Sequence, residues 1–79
     1  MTGRAGLRRG EVSQFDERRG LGEVVGEDGT PYSFHSTQIA DGSRRIEVGS
    51  RVVFVPVPGH LGRFEASQVT QASLRARRR

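Results

Sequence analysis

Seventy-nine residues suffice for one domain, and a chain this short buries a modest share of its surface, so modest stability is expected. No cysteine is present and histidine occurs only at His35 and His60, which excludes a disulfide framework and a thiolate metal site and leaves too little imidazole for zinc. All thirteen basic residues are arginine, and they are unevenly placed. Arg4, Arg8 and Arg9 give the first ten residues a charge of +3, and Arg75, Arg77, Arg78 and Arg79 give the end +4, whereas residues 11–70 carry a net −3. The basic character belongs to the ends of the chain, and the middle is mildly acidic. No apolar run approaches the roughly 20 residues that span a bilayer. The arginine-bearing start is not followed by the hydrophobic region of a secretory signal. A soluble, cytoplasmic protein with no membrane partner is the expectation.

Eighteen of the larger apolar side chains lie between Val12 and Val69, so the core is expected there. The first ordered stretch in the chain, Gly10–Phe15, reads as a strand that begins after a basic tail at 1–9. Gly20 and Gly22 bound a turn, and Gly22–Gly26 reads as the second strand. Glu27-Asp28-Gly29 then predicts a tight hairpin turn, because Asp-Gly suits positive φ. In the third strand, Pro31–His35, side-chain alternation directs Tyr32 and Phe34 to the core and Ser33 and His35 outward. The fourth, Arg51–Val57, divides Val52 and Phe54 from Val53 and Val55. Pro56 cannot donate to a ladder, which predicts an edge or a bulge from there onward. Arg63–Gln71 is the fifth strand, and 72–79 is an arginine-rich tail. No window shows helical periodicity. Five short strands separated by glycine-rich turns predict an all-β barrel or sandwich.

The run from Gly10 to Gly29 resembles the opening of a cold-shock domain, with its pattern G-x-V-K-W-F-N, short basic turn, G-F-G-F-I and D-G hairpin. Phe34-His35 and Ile39 fit the V-H-F-S-x-I position. Ile46-Glu-Val-Gly49 before Val52 and Phe54 fits L-x-x-G-x-x-V-x-F. Gly59 and Gly62, followed by Glu65-Ala66 and Val69, fit the closing G-x-x-G-x-Q-A-x-x-V. The resemblance covers about residues 10–70 and implies a five-stranded antiparallel OB-fold barrel of cold-shock type. It also implies a single-stranded RNA or DNA partner, bound by stacking bases on surface aromatics with basic neighbours on phosphate.

The aromatic positions of that pattern are largely changed. Gln14 stands for the tryptophan, Leu21 and Glu23 for the phenylalanines of G-F-G-F, and Ser33 and Ser36 for the outer phenylalanines of F-V-H-F. Stacking is worth about 1–3 kcal/mol per base, so their loss removes several kcal/mol. The expected nucleic-acid-binding residues are therefore Phe15, Arg18, Arg19, Leu21 and His35, with Arg8, Arg9 and Arg44 assisting through charge. Binding is expected to be weak and largely electrostatic.

Phe64 has no family counterpart and reads equally as a contact residue or a core plug. No catalytic constellation emerges: Glu27 and Asp28 belong to a turn, and Gly20-x-Gly22 is too short for a phosphate fingerprint. No enzyme activity, cofactor, metal or small-molecule substrate is expected. The competing expectation is a protein-interaction barrel, with Leu21, Glu23, Val53 and Val55 forming a protein-facing surface if they prove contiguous.

Overall fold

The computed structural model describes residues 6–72. Its strands are β1 (Arg8–Asp16), β2 (Leu21–Gly26), β3 (Pro31–His35), β4 (Arg51–Pro58) and β5 (Phe64–Gln71), with short 3-10 turns at Ser36–Gln38 and His60–Gly62. They form a closed barrel in the order β1-β2-β3-β5-β4. Four of the five seams are antiparallel. The chain crosses one end of the barrel between β3 and β4, so β5 rises beside β3 in the same direction. That seam is parallel, with Ser33 opposite Glu65 and a second contact between Ile39 and Val69.

Alternation builds the core. Val12, Val24, Tyr32, Phe34, Val52, Phe54, Ala66 and Val69 point inward from all five strands, and Ile39 and Ile46 close the end from the β3–β4 loop. Burying a side chain such as Phe54 contributes about 1.5–3 kcal/mol relative to exposure. At the other end the Tyr32 and Phe54 rings meet at 4.8 Å, and Phe64 lies 6.3 Å from Tyr32. Phe64 is thus a half-covered cap on the barrel end, 51% exposed, and lies away from the outer face of β1–β3.

Turn chemistry places the hairpins. Gly29 takes φ +87° and donates to the Gly26 carbonyl, as the Asp-Gly signal required, while Thr30 N–H donates to the Asp28 carboxylate at 3.0 Å. That bond holds the Asp28 pKa below its ordinary value. A Ser43 N–H does the same for Asp41 at 2.8 Å in the loop before β4.

Three features differ from the sequence expectation or refine it. First, β1 starts at Arg8, because Arg8 and Arg9 pair with Phe54 and Val53 of β4. These two arginines belong to the barrel wall. Second, β1 contains a bulge between Val12 and Gln14, so Ser13 and Gln14 both face outward and Phe15 returns to the inner phase. Third, β4 pairs with β1 only as far as Phe54, and its register with β5 shifts between Val53 and Val55. Among the described residues Pro56 therefore lies where β4 has one partner only, which relieves its missing N–H.

Candidate nucleic-acid interface

The outer face of β1, β2 and β3 is a plate of two cross-strand rows. Asp16, Leu21 and His35 form one row, and Gln14, Glu23 and Ser33 form the next, with Glu65 of β5 continuing it. Leu21 is 46% exposed, and Ser33 and His35 are exposed beside it. The register brings Leu21, Glu23, Ser33 and His35 together on this face.

Between the rows lies an open hollow of about 370 Å³, whose lining includes Gln14, Phe15, Asp16, Arg19, Leu21, Glu23 and Ser33. Its lining is mostly polar, with Phe15 and Leu21 as the apolar side chains. Phe15 is half-buried, and its ring lies parallel to the buried Phe34 ring at 5.9 Å and 7°. The expected contact residue Phe15 is thus held mostly in the core and offers one margin to the hollow.

The polar groups at the rim are held in place. The Ser13 hydroxyl lies 2.8 Å from the Glu23 carboxylate Oε1 and 3.2 Å from the Glu23 carbonyl. The bulge makes this possible by turning Ser13 outward beside Gln14. Asp16 Oδ1 accepts the Arg19 N–H at 3.2 Å, and its carbonyl accepts the Gly20 N–H, which fixes the β1–β2 turn carrying Arg18 and Arg19. His35 Nδ1 accepts the Thr37 N–H at 3.3 Å. In the neutral ring this leaves the proton on Nε2 as a donor.

The remaining expected contacts lie elsewhere. Arg9 stands at the opposite end of β1 from Asp16, about 23 Å away at roughly 3.3 Å per residue. There it lines a larger groove of about 920 Å³ with Glu11, Val25, Glu27, Arg51 and Val53, where the arginines and glutamates balance. Arg8 sits at that same end of β1, close enough to Asp28 to help hold its carboxylate charged. Neither reaches the hollow. Arg44 is exposed in the β3–β4 loop at φ 62°; its neighbour Arg45 reaches the β1–β2 turn, pairing with Glu17 at 3.0 Å. Arg75, Arg77, Arg78 and Arg79 lie outside the described residues.

Two sequence assignments are corrected by position. Ser36, expected as a stripped stacking position, is 7% exposed because its N–H donates to the Gly20 carbonyl and tucks it under the turn. The alternative protein-facing surface is not contiguous: Leu21 pairs at the Asp16 end of β1, whereas Val53 pairs with Arg9 at the far end. Sequence reasoning treated Gln14 only as a lost aromatic, gave Glu23 to the protein-facing alternative as well, and overlooked Ser13. The readable sign was the pair of polar residues between Val12 and Phe15, which breaks strict alternation.

No family model matches the chain, and no curated protein matches it. Among solved structures it is similar to Drosophila Unr CSD456, cold-shock domains 4–6 of Unr, with a TM-score of 0.70 and 22% sequence identity. The match covers 91% of this chain and 29% of that one, so the chain spans less than a third of that structure's length. With a closed five-stranded barrel in this strand order, the chain has the cold-shock-domain form of the OB fold.

Proposed function

We propose that the chain is a binding module for single-stranded RNA or DNA that uses the outer plate of β1–β3. The observation that carries this reading is the register itself. It sets Leu21 against His35 and Glu23 against Ser33 around an open hollow, with Arg19 on its rim and Arg18 in the same turn. Leu21 supplies an apolar surface for a base, and Gln14, Ser33 and the His35 ring supply hydrogen-bonding groups. Arg18 and Arg19 supply the charge that phosphate requires. With few aromatics to stack on, affinity is low and depends strongly on salt.

An amide-shift titration of the full chain with a short single-stranded oligonucleotide at physiological salt tests the reading. Saturable shifts centred on Phe15, Arg19, Leu21 and His35 support it. Shifts confined to the arginines near the chain ends, and abolished by moderate salt, would sink it.

A further inference from the structure

Glu23 lies at the centre of the plate, where a carboxylate is unfavourable for phosphate and needs a different explanation. It sits between Gln14 and Ser33 in its row and is half-buried. Among the described residues it forms no ion pair; the one ion pair found there joins Arg45 to Glu17. Ser13 occupies one acceptor position of Oε1 and holds the carboxylate on the rim of the hollow. A carboxylate has about four acceptor positions and no donor, so most of its capacity is left after the bond from Ser13. The neighbouring Asp16 differs, because its Oδ1 is engaged by the Arg19 N–H.

In a single strand the Watson–Crick edge of each base is free to be read. An acceptor-only group favours an edge that offers donors. Guanine presents N1–H and the N2 amino group side by side, which matches the two oxygens of a carboxylate as a bidentate, charge-assisted pair. Cytosine and adenine each offer one amino group. Uracil and thymine offer a single N3–H flanked by two carbonyl oxygens, which the carboxylate repels. Leu21 lies beside Glu23 on the same hollow and can cover the face of a base held there, while Gln14 and Ser33 can donate to guanine O6.

We propose that Glu23, positioned by Ser13, is a specificity residue that makes this face select guanine in single-stranded nucleic acid and disfavour uracil. The assignment rests on the nucleic-acid reading above and supplies the base preference which that reading leaves open. One bidentate base contact corresponds to roughly tenfold discrimination, towards the lower end of its usual range.

Fluorescence anisotropy on the full chain at physiological salt tests it, using a labelled uridine heptamer and the same heptamer with guanosine at the centre. The guanosine heptamer is expected to bind about tenfold more tightly. In Glu23→Gln the carboxylate becomes an amide with one acceptor oxygen, so the preference is expected to fall below about twofold. The uridine heptamer is expected to bind more tightly to that variant, since a repulsive charge has gone. Equal binding of the two heptamers to the wild type overturns the specificity and leaves the nucleic-acid reading standing. A preference that persists in Glu23→Gln overturns the role of Glu23. Absence of binding by either heptamer overturns the functional reading, and this assignment with it.

Discussion

Replacing Gly22 by alanine probes the packing that forms the floor of the hollow. Gly22 lies between Leu21 and Glu23, and its vacant side-chain direction points into the barrel, onto the Phe34 ring. A Cβ there would lie 2.6 Å from Phe34 Cζ, 2.7 Å from Cε1 and 2.9 Å from the Gln14 carbonyl oxygen. Carbon atoms in contact rest about 3.5–4.0 Å apart, so the ring must move by about an ångström. It has little room, being 3% exposed and stacked on Phe15. Overpacking of this kind costs about 1–3 kcal/mol, and the stiffer unfolded chain of alanine offsets about 0.4–1 kcal/mol of it. A net loss of about 1–2 kcal/mol corresponds to a fall in Tm of roughly 5–15 °C for a domain of this size. Thermal and urea denaturation of the wild type, Gly22→Ala, Phe34→Leu and the double variant form the assay. Leucine removes the Cζ and Cε1 atoms that the new methyl meets. The two substitutions should therefore be non-additive by about 1 kcal/mol, with a residue of strain against the Gln14 carbonyl. Full stability in Gly22→Ala, or costs that add within about 0.5 kcal/mol, would refute the reasoning.

If Arg18 and Arg19 contact phosphate, removing both reduces the salt dependence of binding as well as its strength. The slope of log K against log salt should fall by about 1.4, which is 0.7 for each single-strand phosphate contact. An unchanged slope in the Arg18→Ala/Arg19→Ala variant places the phosphate elsewhere. A further prediction concerns acid. The Thr30 and Ser43 N–H groups lower the pKa of Asp28 and Asp41 below the ordinary value of 3.8. A lowered folded pKa means stability that is present above the unfolded value and is lost as pH falls through the folded one. Tm should therefore decline below about pH 4, and less steeply in Asp28→Asn/Asp41→Asn; identical pH profiles for the two proteins would show that these turns contribute nothing.

The barrel was legible wherever local chemistry and long-range pairing agree. Pro31–His35 is bounded as expected, because Tyr32 and Phe34 alternate with Ser33 and His35 and the Asp28-Gly29 turn fixes the entry. Arg8 and Arg9 read as a tail because their charge is locally conspicuous. What makes them a strand is Val53 and Phe54, more than forty positions away in the chain. Ser36 misled in a similar way: its burial comes from a bond to Gly20 that a linear motif does not show. The face itself was read through the aromatics it lacks. What it has instead depends on the Ser13–Glu23 contact, which requires both the bulge and the β1–β2 register.

The bulge at Ser13 has a consequence for how such a barrel can change. Before it, the inward residues of β1 are Gly10 and Val12; after it, the inward residue is Phe15, and Gln14 is free of the core. Across β2 and β3 the inward set is Gly22, Val24, Tyr32 and Phe34, and the outward set is Leu21, Glu23, Ser33 and His35. Scaffold and outer plate are thus written in interleaved letters that share almost no side chain, with Phe15 as the shared exception. Exposed substitutions in the second set usually change stability by no more than about 0.5 kcal/mol. The side chains of the plate can therefore change, aromatic to polar or neutral to charged, while the barrel beneath continues to fold.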